Sequence, residues 1–201
     1  LAVIEKQIGS YEYSCNFKNE PINPEDQHFK PPIRRWNDLS DGANHFITVD
    51  LAISEKTNAD YTVVMDCAVK QNNQLCVVEY WRKHTDPLST IEKIFEFVLK
   101  YKARKVGIES VAYQRALIHI LAEEQRKRNL FFEIVPIIQT KDKFQRIIAL
   151  QPRWESGNLL LKDGMFELED ELARFPVGEH DDVLDSLAMQ IQILEPQYLV
   201  K

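Results

Sequence analysis

Acidic residues of this chain stand at the ends of predicted strands, in places that a structural role explains poorly. Asp50 follows the apolar run 46–49, and Glu109 closes the short run 106–108. Nothing in a buried strand requires a carboxylate, because an unpaired buried charge is costly. A surface-facing or turn-capping acid remains an alternative for both residues, since exposed Asp and Glu are common.

A third acidic group opens the last predicted helix, where three aspartates fall within five residues. Asp182 and Asp185 are three residues apart and therefore share one helix face. Capping of free N–H groups and the helix dipole would explain one aspartate, such as Asp181. Three of them repel one another, and a bound cation would remove that penalty.

Carboxylates from these three places together predict a site for a hard divalent cation. Mg²⁺ and Mn²⁺ prefer carboxylate and water oxygens. A carboxylate cluster can hold two such ions ~4 Å apart, where one activates water and the other stabilises the leaving oxygen of a phosphodiester. Each acid alone is a weak signal, whereas Asp50, Glu109 and the helix pair within one chain are a strong one.

The elements that must position these acids follow from hydrophobic periodicity. Runs at 45–52, 61–70 and 75–81 predict three antiparallel strands. Shorter strands are predicted at 104–110, 130–138 and 159–161, and helices from Pro87 and over 112–128, 143–150, 165–175 and 181–194. If the first and fourth strands are parallel neighbours, Asp50 and Glu109 lie side by side at one sheet edge, where ligand clefts form.

Apolar stripes on the predicted helices are expected to face the core. They comprise Ile91, Ile94, Phe95, Val98 and Leu99 on the first helix, Ala116, Leu117, Ile120 and Leu121 on the second, and Leu184, Leu187, Ala188, Ile191 and Leu194 on the last. Ser89 and Glu92 are expected to form a capping box at the start of the first helix.

Residues 1–44 differ in composition from the rest of the chain and predict an extended arm or linker. They carry four of the nine prolines, among Asn, Asp, Glu and Lys, and no hydrophobic period holds for long. The compact domain is expected to span 45–201. Because the chain starts at Leu1 rather than Met, we expect it to be part of a longer protein.

The composition of the 201 residues is typical of a soluble globular protein, with 44% apolar and 28% charged residues. The longest apolar runs fall far short of the ~20 residues of a membrane helix, and the absence of a signal peptide predicts a protein that is not secreted. Three cysteines without a CxxC pair argue against a disulfide framework or zinc finger and favour a reducing cytosol. The glycines form neither a P-loop nor a dinucleotide-binding motif.

The charge of the chain is unevenly spread. The net charge of −6 argues against a simple basic nucleic-acid binder. Residues 100–153, however, carry twelve Lys or Arg against five Asp or Glu, a net of +7. A basic middle beside acidic flanks is compatible with DNA contact next to a carboxylate metal site, and a solvated surface explains it equally well.

The acidic motifs resemble those of RNase H-like nucleases, and more closely the nuclease domain of the large terminase subunit of tailed bacteriophages. The motifs are Asp50 in FITVDLA, Glu109 in VGIES, and the run HDDVLDSLA. Further similar features are Thr57 and Asp60 after VDLA, Lys143–Arg146 preceded by Lys141, Gly157 before a short strand, and the arm segment 13–21 with Asn16 and Phe17 in place of the usual Gln and Tyr.

The resemblance implies an RNase H-like α/β fold, with a mixed sheet of three antiparallel strands then parallel strands, flanked by helices. It implies that residues 1–44 follow an ATPase motor domain that is absent here. The implied metal ligands and catalytic residues are Asp50, Glu109 and Asp182, with Asp185 matching a further carboxylate of related Holliday-junction resolvases. Supporting positions would be Asp181 as a cap or outer group, Asp60, and His180 orienting a carboxylate. Lys141, Lys143 and Arg146 would contact DNA phosphates, unless they form a solvated helix face.

The function that the resemblance implies is that of a metal-dependent, largely sequence-nonspecific DNA endonuclease. It would use one or two Mg²⁺ or Mn²⁺ ions to cut concatemeric viral DNA during genome packaging, in the cytoplasm of an infected bacterium. Implied partners are double-stranded DNA, the motor domain of the same chain, the portal and the small terminase subunit. Two alternatives stay open: a structure-selective resolvase of the same fold, and a non-catalytic module that grips DNA or docks on the portal.

Overall fold

A computed structural model describes residues 27–39, 42–52, 61–109, 114–178 and 180–194. The described strands are β1 (Asn44–Asp50), β2 (Thr62–Val69), β3 (Leu75–Lys83), β4 (Lys105–Glu109), β5 (Glu133–Ile137) and β6 (Leu159–Leu160). The described helices are α1 (Pro87–Tyr101), α2 (Gln114–Arg128), α3 (Lys143–Ile148), α4 (Gln151–Glu155), α5 (Phe166–Arg174) and α6 (Asp182–Ile193).

The six described strands form one mixed sheet in the order β5-β4-β1-β2-β3-β6. β1, β2 and β3 are antiparallel neighbours, which short connections allow, whereas β4 pairs parallel to β1 and β5 pairs parallel to β4. The parallel pair β4 and β5 is joined through α2, because a parallel connection needs a crossover of helical length. The predicted α/β class, three antiparallel strands followed by parallel ones with flanking helices, is confirmed.

Helices cover both faces of the sheet, so β2 is buried along its whole length and β1 from residue 46 to residue 49. On one face α6 packs against β1 and β2 and contacts α3 and α5, while α1 packs on the other face. Gly107 of β4 permits the close approach of α6, because a Cβ there would lie 2.7 Å from Ile137 Cδ1 and 2.9 Å from Ile193 Cγ2. The last turn of α6 therefore lies directly against β4.

The structure confirms that α1 starts at Pro87 and corrects its predicted capping box and one residue of its apolar stripe. Asp86, rather than Ser89, is the N-cap: its carboxylate accepts hydrogen bonds from the N–H groups of Leu88 at 2.9 Å and Ser89 at 3.1 Å. The predicted capping box is therefore wrong. Leu99 is 63% exposed and Phe97 is buried in its place. These two residues lie on nearly opposite sides of the helix, and the buried stripe is on the side of Phe97.

Three other helices differ in detail from the prediction. Ile120 of α2 is 39% exposed, although it was expected inside, and the side chain of Ala116 lies outside the described residues. The predicted helix 143–150 ends at Ile148, and a second short helix starts at Gln151 with Pro152 in its first turn, where proline is tolerated. In α6 the predicted stripe is buried at Leu184, Leu187 and Ala188 and only partly buried at Ile191 and Leu194.

Residues 27–39, which fall within the predicted arm, pack against the domain. Phe29 is 2% exposed and its ring lies 5.9 Å from that of Trp154, whose Nε1 donates to the Lys30 carbonyl at 2.7 Å. The indole of Trp36 donates to the Val77 carbonyl at 2.8 Å. The division of the chain at residue 44 stays a prediction, and residues 1–26 lie outside the described part. Within that part, no helix is both long enough and apolar enough to cross a membrane.

Candidate metal centre

Asp50 and Glu109 end two neighbouring parallel strands. Val49 of β1 is the register partner of Ile108 of β4, so the residue after it on each strand reaches the same sheet edge. The predicted neighbourhood of these two acids is therefore confirmed by the strand pairing. Parallel strands create this arrangement because their carboxyl ends meet at one edge.

Buried polar contacts hold α6 across β1 and bring its acidic first turn to the same edge. The Thr48 hydroxyl donates to the Ser186 carbonyl at 2.9 Å, and the Gln190 amide donates to the Thr48 hydroxyl at 3.0 Å. Gln190 also donates to the Phe46 carbonyl at 3.2 Å. These bonds fix the position of α6 along the strand. Sequence reasoning missed all three polar residues, whose only signal is a polar side chain on an otherwise apolar face.

The other predicted acids influence the titration of Asp50. Burial raises the pKa of Asp50 from 3.8 to about 8, with further contributions from the negative charges of Asp185 and Glu109. Asp182 also raises this pKa, whereas the Lys143 ammonium lowers it. Asp182 and Asp185 are themselves buried, each 6% exposed. The charges of the three other predicted ligands therefore act on Asp50, at the edge where β1 and β4 end.

Basic side chains from two other elements bind the aspartates of α6. Arg82 of β3 contacts Asp182 at 3.0 Å, from Nη2 to Oδ2. Arg146 of α3 donates to Asp185 through Nε at 3.1 Å and Nη2 at 2.5 Å. Such two-point contacts between a guanidinium and a carboxylate are among the strong charged hydrogen bonds. The ends of β3 and α3 therefore place positive charge directly on the acidic turn.

Two of the three predicted DNA-contacting residues point into the acid cluster. Lys143 lies 2.5 Å from Asp181 and 3.9 Å from Asp185, to which Arg146 also binds. Lys141, by contrast, is exposed, and its carbonyl accepts a hydrogen bond from Arg146. Lys143 is 42% exposed along its side chain, so it borders both the cluster and solvent.

Asp181 does not have its predicted capping role. It occupies the N-cap position of α6, but its side chain makes no capping hydrogen bond and instead binds Lys143. The cap comes from α5, where Glu171 Oε2 accepts the N–H of Leu184 at 2.7 Å. Burial raises the pKa of Glu171 to about 8, against the lowering effect of the Leu184 N–H. The sequence feature that could have pointed to Glu171 is a carboxylate on the buried face of a helix.

Of the remaining predicted positions, the structure describes only His180. His180 is exposed and packs edge-on against the ring of Tyr61, with centroids 5.8 Å apart. The same ring supports the Arg82 guanidinium, whose central carbon lies 4.0 Å from the ring centroid. Sequence reasoning missed Tyr61 and Arg82 because neither lies in a chemical motif. Asp60 falls outside the described residues.

The donor chemistry of the cluster fits a hard divalent cation, although the side chains are not arranged around one. Among the residues that the structure describes, no three His, Cys, Asp or Glu side chains are close enough to hold a metal ion. Asp182 and Asp185 instead bind Arg82 and Arg146. Asp50, however, is surrounded by like charges that a cation would offset, and carboxylate oxygens are the ligands that Mg²⁺ and Mn²⁺ prefer.

Comparison with known proteins gives matches among solved structures only. No family model and no curated protein sequence matches the chain. The large terminase nuclease of thermophilic phage G20c with bound magnesium aligns with a TM-score of 0.58 at 15% identity, over 84% of this chain and 98% of that one. The human cytomegalovirus terminase nuclease domain, soaked with manganese, aligns with a TM-score of 0.58 at 11% identity, over 86% and 94%.

A larger relative of the same kind also aligns. The large terminase of a second thermophilic bacteriophage matches with a TM-score of 0.56 at 14% identity, over 84% of this chain and 41% of that one. Identities this low speak to the arrangement of strands and helices rather than to activity. The resemblance predicted from the acidic motifs is confirmed at that level: this chain has the fold of the large terminase nuclease domains.

Proposed function

We propose that this chain is a metal-dependent endonuclease domain that hydrolyses the phosphodiester backbone of DNA. The observation that supports the proposal is the position of Asp50 and Glu109 at the ends of two paired parallel strands, with the pKa of Asp50 raised to about 8 by burial and by the charges of Asp185, Glu109 and Asp182. Such strongly perturbed groups in a cluster mark functional sites more often than structural ones. The fold shared with terminase nucleases supports the same assignment.

Asp50, Glu109, Asp182 and Asp185 would hold one or two Mg²⁺ or Mn²⁺ ions. When bound, the metal supplies positive charge that activates water and stabilises the leaving oxygen. Asp182 and Asp185 would exchange Arg82 and Arg146 for this charge, because one carboxylate oxygen cannot serve both partners fully. Until then the two guanidinium groups limit the repulsion among the acids.

The basic residues beside the cluster would bind the substrate backbone. Lys143, which is partly exposed and bound to Asp181, and the exposed Lys141 would bind a phosphate near the acids. Arg146, once released from Asp185, would serve the same purpose. Contacts to phosphates carry no sequence information, so this arrangement supports cleavage with little sequence preference.

The biological setting follows by analogy with the structural relatives. As a terminase nuclease, this chain would cut concatemeric viral DNA during genome packaging in an infected bacterium. It would act with an ATPase motor domain of the same longer protein, the portal and the small terminase subunit. This part of the proposal rests on the family resemblance together with the fold.

A plasmid-nicking assay tests the proposal directly. Wild-type protein should nick and linearise plasmid in Mn²⁺ and do neither in EDTA. Asp50→Asn should lose at least ~100-fold in rate with its fold intact, since it removes a charged ligand at the centre of the cluster. Asp38→Asn, an exposed acid in residues 27–39, is the matched control and should cut normally. A fully active D50N protein would contradict the assignment.

A non-catalytic DNA-gripping or portal-docking module is the second candidate. The observation that favours it is the pairing of the α6 aspartates with Arg82, Lys143 and Arg146, which leaves no three described acids arranged around a metal. Under this alternative the wild-type protein binds plasmid but never nicks it.

A resolvase of the same fold is tested by adding a four-way DNA junction to the same assay. A resolvase would cut the junction in preference to linear duplex.

A further inference from the structure

A carboxyl group from a neighbouring helix holds the acidic first turn of α6. Glu171 of α5 is 6% exposed, and its Oε2 accepts the N–H of Leu184 at 2.7 Å. The first N–H groups of a helix have no partner inside the helix, and Asp181 at the N-cap provides none from its side chain. Glu171 therefore closes the helix from outside.

The position of this hydrogen bond matters because of the residues on either side of it. Leu184 stands between Asp182 and Asp185, so a restraint on its backbone acts on both acids at once. Farther along the same helix, Gln190 and Ser186 are bound to β1. Glu171 thus holds the backbone of the first turn of α6, which those contacts to the sheet do not reach.

Resting on the proposed nuclease function, we propose that Glu171 is a positioning residue for the metal centre. Its carboxyl sets the first turn of α6 so that Asp182 and Asp185 face the same ion as Asp50 and Glu109. It touches no reacting group and acts only through the backbone of Leu184. Outer residues of this kind typically contribute ~10–100-fold to metal affinity.

The role requires a hydrogen-bond acceptor and no particular charge, which makes it separable by substitution. Glu171→Gln keeps an oxygen that accepts the Leu184 N–H. Glu171→Met keeps the bulk of the side chain but leaves that buried N–H without a partner. Glu169 offers a matched control: it lies two residues away on α5, is 3% exposed, and binds Arg35 at 2.6 Å instead of α6. Glu169→Met removes a comparable buried acceptor.

The test measures Mn²⁺ affinity by calorimetry without DNA, beside thermal melting and plasmid nicking. E171M should bind Mn²⁺ ~10–100-fold more weakly than wild type. E171Q should bind like wild type, and E169M should melt lower yet keep its affinity. Should E171M fail to fold, Glu171→Asp, which shortens the reach by one methylene, should also bind more weakly.

Three results would overturn the role of Glu171. They are an E171M or E171D protein with wild-type affinity, an E171Q protein as impaired as E171M, and an E169M protein that loses affinity to the same degree. A wild-type protein that neither binds Mn²⁺ nor cuts plasmid would overturn the proposed function and this role together. A wild type that does both, beside an unimpaired E171M, would overturn this role alone.

Discussion

Arg146 of α3 donates two hydrogen bonds to the carboxylate of Asp185 of α6, from Nε at 3.1 Å and from Nη2 at 2.5 Å. The two side chains are only 15% and 8% exposed. Asp185 is in turn the acid whose charge contributes most to the raised pKa of Asp50. The guanidinium therefore offsets the negative charge of Asp185 that acts on Asp50, as a metal ion would.

Removing this guanidinium should destabilise the protein and make it more responsive to metal. In EDTA, Arg146→Met should lower the free energy of unfolding by about 3 kcal/mol, because breaking a buried pair leaves an uncompensated charge. Added Mn²⁺ should then stabilise R146M more than it stabilises the wild type, since the unpaired Asp185 gains a partner. Urea unfolding in EDTA and in millimolar Mn²⁺ measures both effects.

Arg153 of α4 provides the control for that experiment. It is partly buried and donates to the Asn73 carbonyl at 3.0 Å, away from the acids. Arg153→Met should lose stability without changing the response to Mn²⁺. Equal Mn²⁺ responses in R146M and wild type would mean that Arg146 and the metal do not compete for Asp185.

Mn²⁺ should raise the melting temperature of the wild-type protein, and Asp50→Asn should reduce that rise. A ligand that binds only the native state stabilises it by about 2.7 kcal/mol at a hundred times its Kd. For a domain of this size, each kcal/mol corresponds to about 2–4 °C. A Mn²⁺ titration followed by thermal melting gives the result, and D38N should respond like the wild type. A melting temperature indifferent to Mn²⁺ would count against metal binding.

Local patterns were sufficient to predict most of the sheet and the acids at its edge. The alternation across β2 and the apolar run of β4 predict strands, and a strand covered on both faces tolerates little besides apolar residues. The parallel pairing of β1 and β4 was only a condition of the sequence argument; the structure supplies it, and it brings Asp50 beside Glu109. The strands, and the acids that follow them, can therefore be predicted from a single sequence.

Contacts between distant parts of the chain were beyond sequence reasoning. Lys143 and Arg146 were interpreted as facing DNA, and only the packing of α3 against α6 turns them onto aspartates about forty residues away. Glu171 replaces Asp181 as the cap for the same reason, since its reach to Leu184 depends on how α5 and α6 pack. The cap of α1 was misjudged because two local candidates competed, Asp86 and Ser89, although its start at Pro87 was predicted correctly.

Gly107 is expected to be intolerant of even one methyl group. In Gly107→Ala the new Cβ would lie 2.7 Å from Ile137 and 2.9 Å from Ile193. Overpacking of this kind lowers the free energy of unfolding by about 1–3 kcal/mol. It would push α6 away from β4, the strand that ends at Glu109. Urea unfolding should show the loss, and Ile193→Ala in the G107A background should recover part of it. No recovery in the double variant would show that α6 is not the element displaced.

Asp66 should make the stability of the protein depend on pH, far from the metal centre. Its side chain is fully buried on β2, where His45 Nδ1 lies 2.7 Å from Oδ2 and Oδ1 has no hydrogen-bond partner within the described structure. Burial raises the pKa of Asp66 from 3.8 to about 6, against the lowering effect of His45. The folded protein therefore holds a proton that the unfolded chain releases between those values.

The sign of the effect follows from that difference. A group whose pKa is raised by folding contributes stability below its unfolded value and loses it as the pH rises through the folded value, so the contribution should fall from about pH 4 to about pH 6. Asp66→Asn cannot release this proton, so the melting temperature of D66N relative to wild type should increase over that interval and level off above it. Thermal melts from about pH 4 to about pH 8 in EDTA measure the difference. His45→Gln removes the partner that lowers the pKa of Asp66, so in this variant the decline of the Asp66 contribution to stability should extend to higher pH. A difference in melting temperature between D66N and wild type that stays flat across the pH series would show that Asp66 is ionised throughout.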